Sequence, residues 1–263
     1  MSLSVAIATY NEEENIARCL QSVKNLTDEI ILFDGSSTDK TAEIAKALKA
    51  KVYIVPNEEM FHKNKQLAID KCTGDWIFQL DADEEVSPPL IEEITKIINP
   101  QSFYYQPKIN GYWIPRKNFF LGKYLTKGGQ YPDYTLRLYK RGKGKLPCRS
   151  VHEQAEVDGK IGYLKNPLLH HAYPDFSHYL EHFNLYTSLL SKEFEEVRLP
   201  LTWQSFLIYI VLYPKWWFLK TFFRHKGFED GFAGFVFSLF SALRFPAAYI
   251  KYWERIHYPK KIS

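Results

Sequence analysis

The apolar run Trp76-Ile77-Phe78-Gln79-Leu80 stops at two aspartates spaced i, i+2, Asp81 and Asp83, with Glu85 two residues further on. Carboxylates at the carboxyl end of a central strand overhang the crevice where open α/β sheets bind ligands. Oxygen donors there suit a hard divalent ion that bridges to phosphates. Lys65, Arg137 and Arg141 add cations suited to a diphosphate or an anionic acceptor, since guanidinium groups pair bidentately with phosphate. The plain alternative for the acidic run is a solvated turn ahead of a helix begun by Pro88-Pro89. No Ser/His/Asp or Cys/His arrangement at interpretable spacing is present, so a covalent nucleophile is not expected.

Strands and helices alternate ahead of these acids. Leu3 to Thr9 is a β-branched apolar strand, and Asn11 or Glu12 is placed to cap a helix from about Glu13 to Lys24. A second strand, Glu29 to Phe33, ends at Asp34-Gly35-Ser36-Ser37-Thr38-Asp39-Lys40-Thr41. Gly35 permits a sharp turn, and the Ser/Thr/Asp cluster caps a helix over about Lys40 to Ala47. A third strand, Lys51 to Val55, leads to a basic loop around His62, Lys63 and Lys65 and a helix to Cys72; the fourth ends at Asp81. These spacings describe parallel βαβ units. The first turn, Ala8-Thr9-Tyr10-Asn11-Glu12, contains no glycine, which excludes a dinucleotide fingerprint or a Walker loop. A metal and basic side chains must then neutralise any bound diphosphate.

Three ordered segments, Val5-Ala6-Ile7-Ala8-Thr9-Tyr10-Asn11-Glu12, Asp34 to Thr41 and Gly74 to Asp83, resemble the inverting family 2 glycosyltransferases of the GT-A fold. The resemblance implies an α/β nucleotide-diphospho-sugar transferase: a Rossmann-like mixed sheet with helices on both faces. It implies that Thr9, Tyr10, Glu12 and Asp34 hold the base and ribose of a nucleotide sugar, with Asp34 reading a uracil. It also implies that Asp81 lies near the ribose and that Asp83 binds a divalent metal, Mn²⁺ or Mg²⁺, on the diphosphate. Many relatives carry two acids before the glycine of the second segment; this chain has Phe33-Asp34. Glu85 is either a further metal contact or a solvent-facing residue in the first turn of the next helix. His171 or His170 could complete the metal shell, or serve structurally beside Leu168-Leu169.

Four later segments, Gly128 to Asp133, Leu136 to Arg141, Val151-His152-Glu153 and Lys165 to His171, are similar to a bacterial subgroup that builds lipopolysaccharide core and related envelope glycans. That similarity implies a UDP-sugar donor and a lipid-linked glycan acceptor. Inverting transfer needs one carboxylate to take the acceptor proton as its oxygen attacks the anomeric carbon. Glu153 stands where the family carries its acceptor-side acid; Asp133, in the rigid turn Tyr131-Pro132-Asp133, is the competitor. Either acid could instead pair with Arg149 or Arg137. A polyprenyl-phosphate glycosyltransferase is the near alternative. A haloacid dehalogenase-like phosphohydrolase is the distant one, because Asp81-Ala82-Asp83 superficially matches its nucleophile motif.

The 263 residues suit one large α/β domain with an appendage, expected as 1–176 and 177–263. Cys19, Cys72 and Cys148 are too far apart to suggest a zinc cluster or a disulfide framework. No signal peptide is read before the first strand, and the expected location is the cytoplasm, peripheral to the inner face of the membrane. Nothing in the composition suggests a nucleic-acid partner. From Leu199 onward nine Lys/Arg face three Asp/Glu, and 19 of the 43 aromatic residues lie there. Trp203 to Tyr213 is expected to break at Pro214, and Phe232 to Leu243 at Arg244, both short of the ~20 residues that span a bilayer. Their composition suits amphipathic helices in the headgroup region of an anionic leaflet. A packed helical subdomain, or a homodimer interface through this tail, is the rival. Ser177 to Arg198 is expected as an amphipathic connecting helix.

Overall fold

The computed structural model describes residues 1–27, 29–58, 60–149 and 153–258; Val151 and His152 of the Val151-His152-Glu153 segment lie outside the described residues. Contacts divide the chain into two compact units, residues 1–117 with 132–171 and residues 118–131 with 172 onward.

The first unit opens with β1 (Leu3–Thr9), α1 (Ile16–Val23), β2 (Glu29–Asp34), α2 (Thr41–Ala47), β3 (Lys51–Ile54), α3 (His62–Lys71) and β4 (Trp76–Asp81). There follow β5 (Glu84–Val86), α4 (Pro88–Ile98), β6 (Ile109–Phe120), whose last three residues, like all of β7 (Lys123–Tyr124), count with the second unit, and β8 (Asp133–Lys140). The short strands β9 (Gly144–Lys145), β10 (Glu156–Val157), β11 (Lys160–Tyr163) and β12 (Leu168–His170) complete it. The sheet order is β3-β2-β1-β4-β8-β6-β12-β5. The first four strands are parallel, and β8 enters antiparallel to β4. The order reverses between β1 and β4, so their carboxyl ends part to leave a crevice at that switch point.

Period-2 alternation sorts the core into two layers. Leu3, Val5 and Ile7 pack with Ile16, Leu20 and Val23 of α1 and Leu90 and Ile94 of α4. Ala6, Ile31 and Phe33 face the other way, onto Ala68 and Ile69 of α3. The mixed sheet thus carries helices on both faces.

Two turns differ from expectation. Neither Asn11 nor Glu12 caps α1 with its side chain: the Glu12 carbonyl accepts from the Asn15 and Ile16 amides, and Asn11 turns left-handed (φ 53°). Its side chain instead accepts from the Thr38 amide at 2.8 Å, fastening the first turn to the second. In that second turn the left-handed residue is Ser36 (φ 62°), while Gly35 serves a close approach, since a Cβ there would meet the Asn57 side chain at 3.2 Å. Asp39 accepts from the Thr41 amide at the start of α2, as the cluster of small polar residues suggested.

The second unit contains α5 (Phe176–Glu196), α6 (Trp203–Phe206), α7 (Tyr213–Leu219) and α8 (Gly231–His257). Residues 118–131 cluster here and not with the expected 1–176 segment. Phe120 and Leu125 pack with Tyr179, Ala233 and Val236, and buried Asp230 accepts from the Thr126 and Lys127 amides at 2.9 and 2.8 Å. Neither expected helix break occurs. Pro214 is the second residue of α7, and the chain enters that turn from Leu207–Leu212 wound as a π-helix, so helical winding continues through it. Arg244 and Pro246 both lie inside α8, held as Ala248, Tyr249 and Tyr252 bury against Phe194 of α5. Gly227–His257, 31 residues that include an 18-residue stretch of mean hydropathy 1.4, is therefore long and apolar enough to cross a membrane by length and composition.

Candidate active site

The crevice is built from strand ends. Thr9 closes β1 and Asp81 closes β4, with Ala8 registered against Asp81 across the parallel pair. A hollow of about 350 Å³ lies there, lined by Thr9, Tyr10, Glu12, Lys65, Asp81 and Asp83 among others. A second, of about 250 Å³, shares Phe61, Lys65 and Asp81 with the first and adds His62, Arg116, Arg137, Glu153 and Gln154. Two adjoining cavities that meet at one carboxylate and one ammonium can seat two reactants side by side.

Asp81 is the junction. It pairs with Lys65 through Oδ1 and with Arg137 through Oδ2. Burial alone would raise its carboxyl pKa, but Arg137 and Lys65 outweigh that and hold it well below the usual carboxylate range. Behind it, fully buried Glu84 accepts from the Asp81 amide at 3.0 Å and from Arg137 Nη2 at 3.0 Å, with Arg116 Nη1 at 3.4 Å. Both guanidiniums are thereby fixed at the edge of the second hollow. At the mouth of the first, burial together with Asp83, Asp81 and Asp39 pushes the Glu12 carboxyl up, against a hydrogen bond from Asn15. The Thr9 hydroxyl is buried with no partner among the described residues, which suits it to a ligand.

The antiparallel pairing of β12 with β5, His170 opposite Glu84, carries two histidines to the acidic turn. His170 Nε2 lies 3.1 Å from Asp83 Oδ2, and His171 Nε2 lies 3.2 Å from Glu85 Oε2. Burial would raise the Asp83 carboxyl, but the His170 hydrogen bond and charge bring it below its ordinary value. Burial and Arg18 lower the His171 imidazole in spite of Glu85. Among the described residues no group of three or more His, Cys, Asp or Glu converges as a closed metal cage. One carboxylate with one imidazole, Asp83 with His170, nevertheless fits a Mn²⁺- or Mg²⁺-sized ion that takes its remaining ligands from substrate phosphates and water.

Of the residues singled out from sequence, Thr9, Tyr10, Glu12, Lys65, Asp81, Asp83, Arg137 and Glu153 line the two hollows. Four others do not. Asp34 is fully buried, its oxygens accepting from the Ser37 amide at 2.8 Å and hydroxyl at 2.6 Å, so it orders the turn behind the cleft. Asp133 is held by Arg116 at 2.8 Å, and not by Arg137. Glu85 and His171 pair with each other beside the cleft, because strand alternation turns Glu85 away from Glu84; Glu85 lies in β5 and not in a helical first turn. Glu153 accepts from the Arg149 amide at 3.1 Å, and its Oε1 lies 3.9 Å from His62 Nδ1. Sequence reasoning passed over Arg116, Gln79 and Gln154, which line the second hollow, and Glu84 behind it. The one available signal was the density of acids from Asp81 to Glu85, which demands buried counter-charge.

The family model Glycosyl transferase family 2 matches residues 4–153. An uncharacterized glycosyltransferase of Rickettsia typhi is 33% identical over 91% of this chain and 82% of its own length. The lipopolysaccharide core biosynthesis glycosyltransferase LpsC of Rhizobium meliloti is 26% identical over 92% of this chain and 88% of its own. Among solved structures, glucosyl-3-phosphoglycerate synthase of Mycobacterium tuberculosis with Mn²⁺, UDP and glucosyl-3-phosphoglycerate aligns over 46% of this chain and 44% of that one, at 24% identity and a TM-score of 0.35.

Proposed function

The chain belongs to glycosyl transferase family 2, and on that premise we propose that it moves a sugar, with inversion, from a UDP-sugar to a hydroxyl of a lipid-linked envelope glycan. Family membership displaces the dehalogenase reading of Asp81-Ala82-Asp83. The observation that carries the proposal is the pair of hollows meeting at Asp81 and Lys65, with Glu153 in the second. The likeness to LpsC supports a lipopolysaccharide-core acceptor.

In this reading the first hollow takes the nucleotide sugar. Thr9 and Tyr10 meet the nucleoside, and Lys65 and Arg137 exchange part of their hold on Asp81 for diphosphate oxygens. Asp83 and His170 would hold the divalent ion, which when bound offsets charge growing on the departing diphosphate. The acceptor hydroxyl enters the second hollow, where Glu153 takes its proton as the oxygen attacks the anomeric carbon from the face opposite the nucleotide. Asp34 acts at one remove, by keeping the turn beside Thr9 in place. The exposed aromatic and basic helices of the second unit hold the enzyme at the cytoplasmic face of the membrane, raising the effective concentration of a lipid-borne acceptor.

Glu153→Gln tests this directly. We expect sugar transfer to fall about 10²- to 10⁴-fold while UDP affinity, measured by calorimetry, stays within about twofold of wild type. Asp83→Ala should abolish the metal-dependent part of UDP affinity, as chelation should in wild type. Undiminished turnover in Glu153→Gln would remove the base and point to a phosphate acceptor, which needs none.

A further inference from the structure

We propose that Lys220 and Arg244, gathered on the Trp217 indole, form a binding site for the phosphate of an anionic membrane phospholipid; this rests on the membrane-surface reading above. Lys220 Nζ lies 4.8 Å from the ring centroids of both Trp216 and Trp217. Arg244 Cζ lies 4.4 Å from the Trp217 centroid and 4.8 Å from that of Phe245. Two like charges therefore share one ring.

Neither cation has an ion pair among the described residues, and on α5, which packs against α8, Glu195 is taken by Arg255. From Leu199 onward the chain has three acids. Glu229 is taken by Lys127 and Lys226, and Asp230 by Lys123 and the 126–127 amides. Glu254 stands ten residues beyond Arg244 on α8, roughly 15 Å along the axis. Two buried donors, Trp217 Nε1 and Arg244 Nε, also lack partners among the described residues. A cluster with two cations and two unmet N–H donors, and no paired carboxylate among the described residues, has the complement of a phosphate group.

The surroundings choose the source of that phosphate. Tyr213, Trp216, Leu219, Phe223 and Leu243 are all exposed around the cluster. A free anion gains nothing from such a rim, whereas a phospholipid offers acyl chain to the apolar side chains and phosphate to the cations. The same geometry argues against α8 as a spanning helix. Arg244 sits midway along it, where a bilayer centre would penalise its charge, and at the headgroup level that penalty becomes attraction.

The test is cosedimentation of the full chain with vesicles of phosphatidylcholine, alone or with about one third phosphatidylglycerol. The Lys220→Gln/Arg244→Gln variant is compared with Lys215→Gln/Arg224→Gln, which removes the same charge elsewhere on these helices. We expect the first pair to weaken binding to anionic vesicles at least tenfold more than the second, with Arg244→Lys retaining most of it and thermal unfolding unchanged. Equal losses in the two pairs would mean diffuse charge attraction and overturn the site while leaving membrane association intact. Wild type that pelleted with neither vesicle would instead sink the membrane reading itself. Displacement from anionic vesicles by millimolar inorganic phosphate at constant ionic strength would reassign the site to a free anion.

Discussion

Glu84 shows how far a single carboxylate can organise this site. Fully buried, it binds the Asp81 amide and faces both Arg137 and Arg116, so its charge fixes two guanidiniums that line the second hollow. Removing one member of a buried, hydrogen-bonded ion cluster strands the others without compensation. Glu84→Ala should therefore cost about 3–5 kcal/mol in urea unfolding. Glu85→Ala, removing a carboxylate that is 31% exposed and whose partner Arg18 is 35% exposed, should cost under about 1 kcal/mol. Neighbours in sequence thus separate into a structural and a peripheral acid because one faces the core and the other the rim.

At the scale of elements, Glu29 ties the start of β2 to β1 and to the turn before β4. Its carboxylate accepts from the Ser4 hydroxyl, from the Thr73 amide at 2.7 Å and hydroxyl at 2.9 Å, and faces Lys51 at 3.3 Å. Burial pushes its pKa up, but the Ser4, Thr73 and Lys51 hydrogen bonds outweigh that and bring it from 4.5 down to about 2. A carboxyl depressed in the folded state stabilises fully above its unfolded pKa, and the contribution is lost as pH falls through the folded value. Wild type should exceed Glu29→Gln in urea midpoint at neutral pH, and the gap should close between about pH 4.5 and 2. A constant gap across that range would mean that the carboxylate charge does not hold these strands together.

At the scale of the whole molecule, the second unit limits how membrane association can be tested. Deleting everything after about residue 199 would strip α8 from α5 and bare Phe194 and Leu190, so altered sedimentation would report a broken core. Substitution on the exposed side is cleaner. Trp203, Phe206, Trp216 and Phe223 are each more than half exposed. Phe206→Ser/Trp216→Ser/Phe223→Ser should lower the membrane-bound fraction several-fold with an unchanged melting temperature. If that variant pelleted with membranes as wild type does, the aromatic helices would not be the anchor.

The sequence by itself determined the elements whose signals are local. Alternating apolar strands, polar residues at strand ends and the absence of glycine in the first turn were enough for the βαβ order and the Thr9–Glu12 and Asp81–Asp83 ends, while the family came from the resemblance of three ordered motifs. What it could not settle depends on long-range register. The β12–β5 pairing decides that His170 meets Asp83 while His171 meets Glu85, and the β6–β8 pairing sets Arg116 opposite Asp133. For Asp34 the resemblance implied a ligand-facing acid, and sequence cannot say whether a carboxylate turns into a cleft or back onto its own loop, where the Ser37 amide and hydroxyl donate to it. The helix through Arg244 escaped notice for a related reason: a charge in an apolar run ends a helix only when nothing receives it, and here the Trp217 ring does. Local chemistry writes the strands and their ends, whereas the partners that neutralise buried charge come from tens of residues away and exist only once the chain has folded.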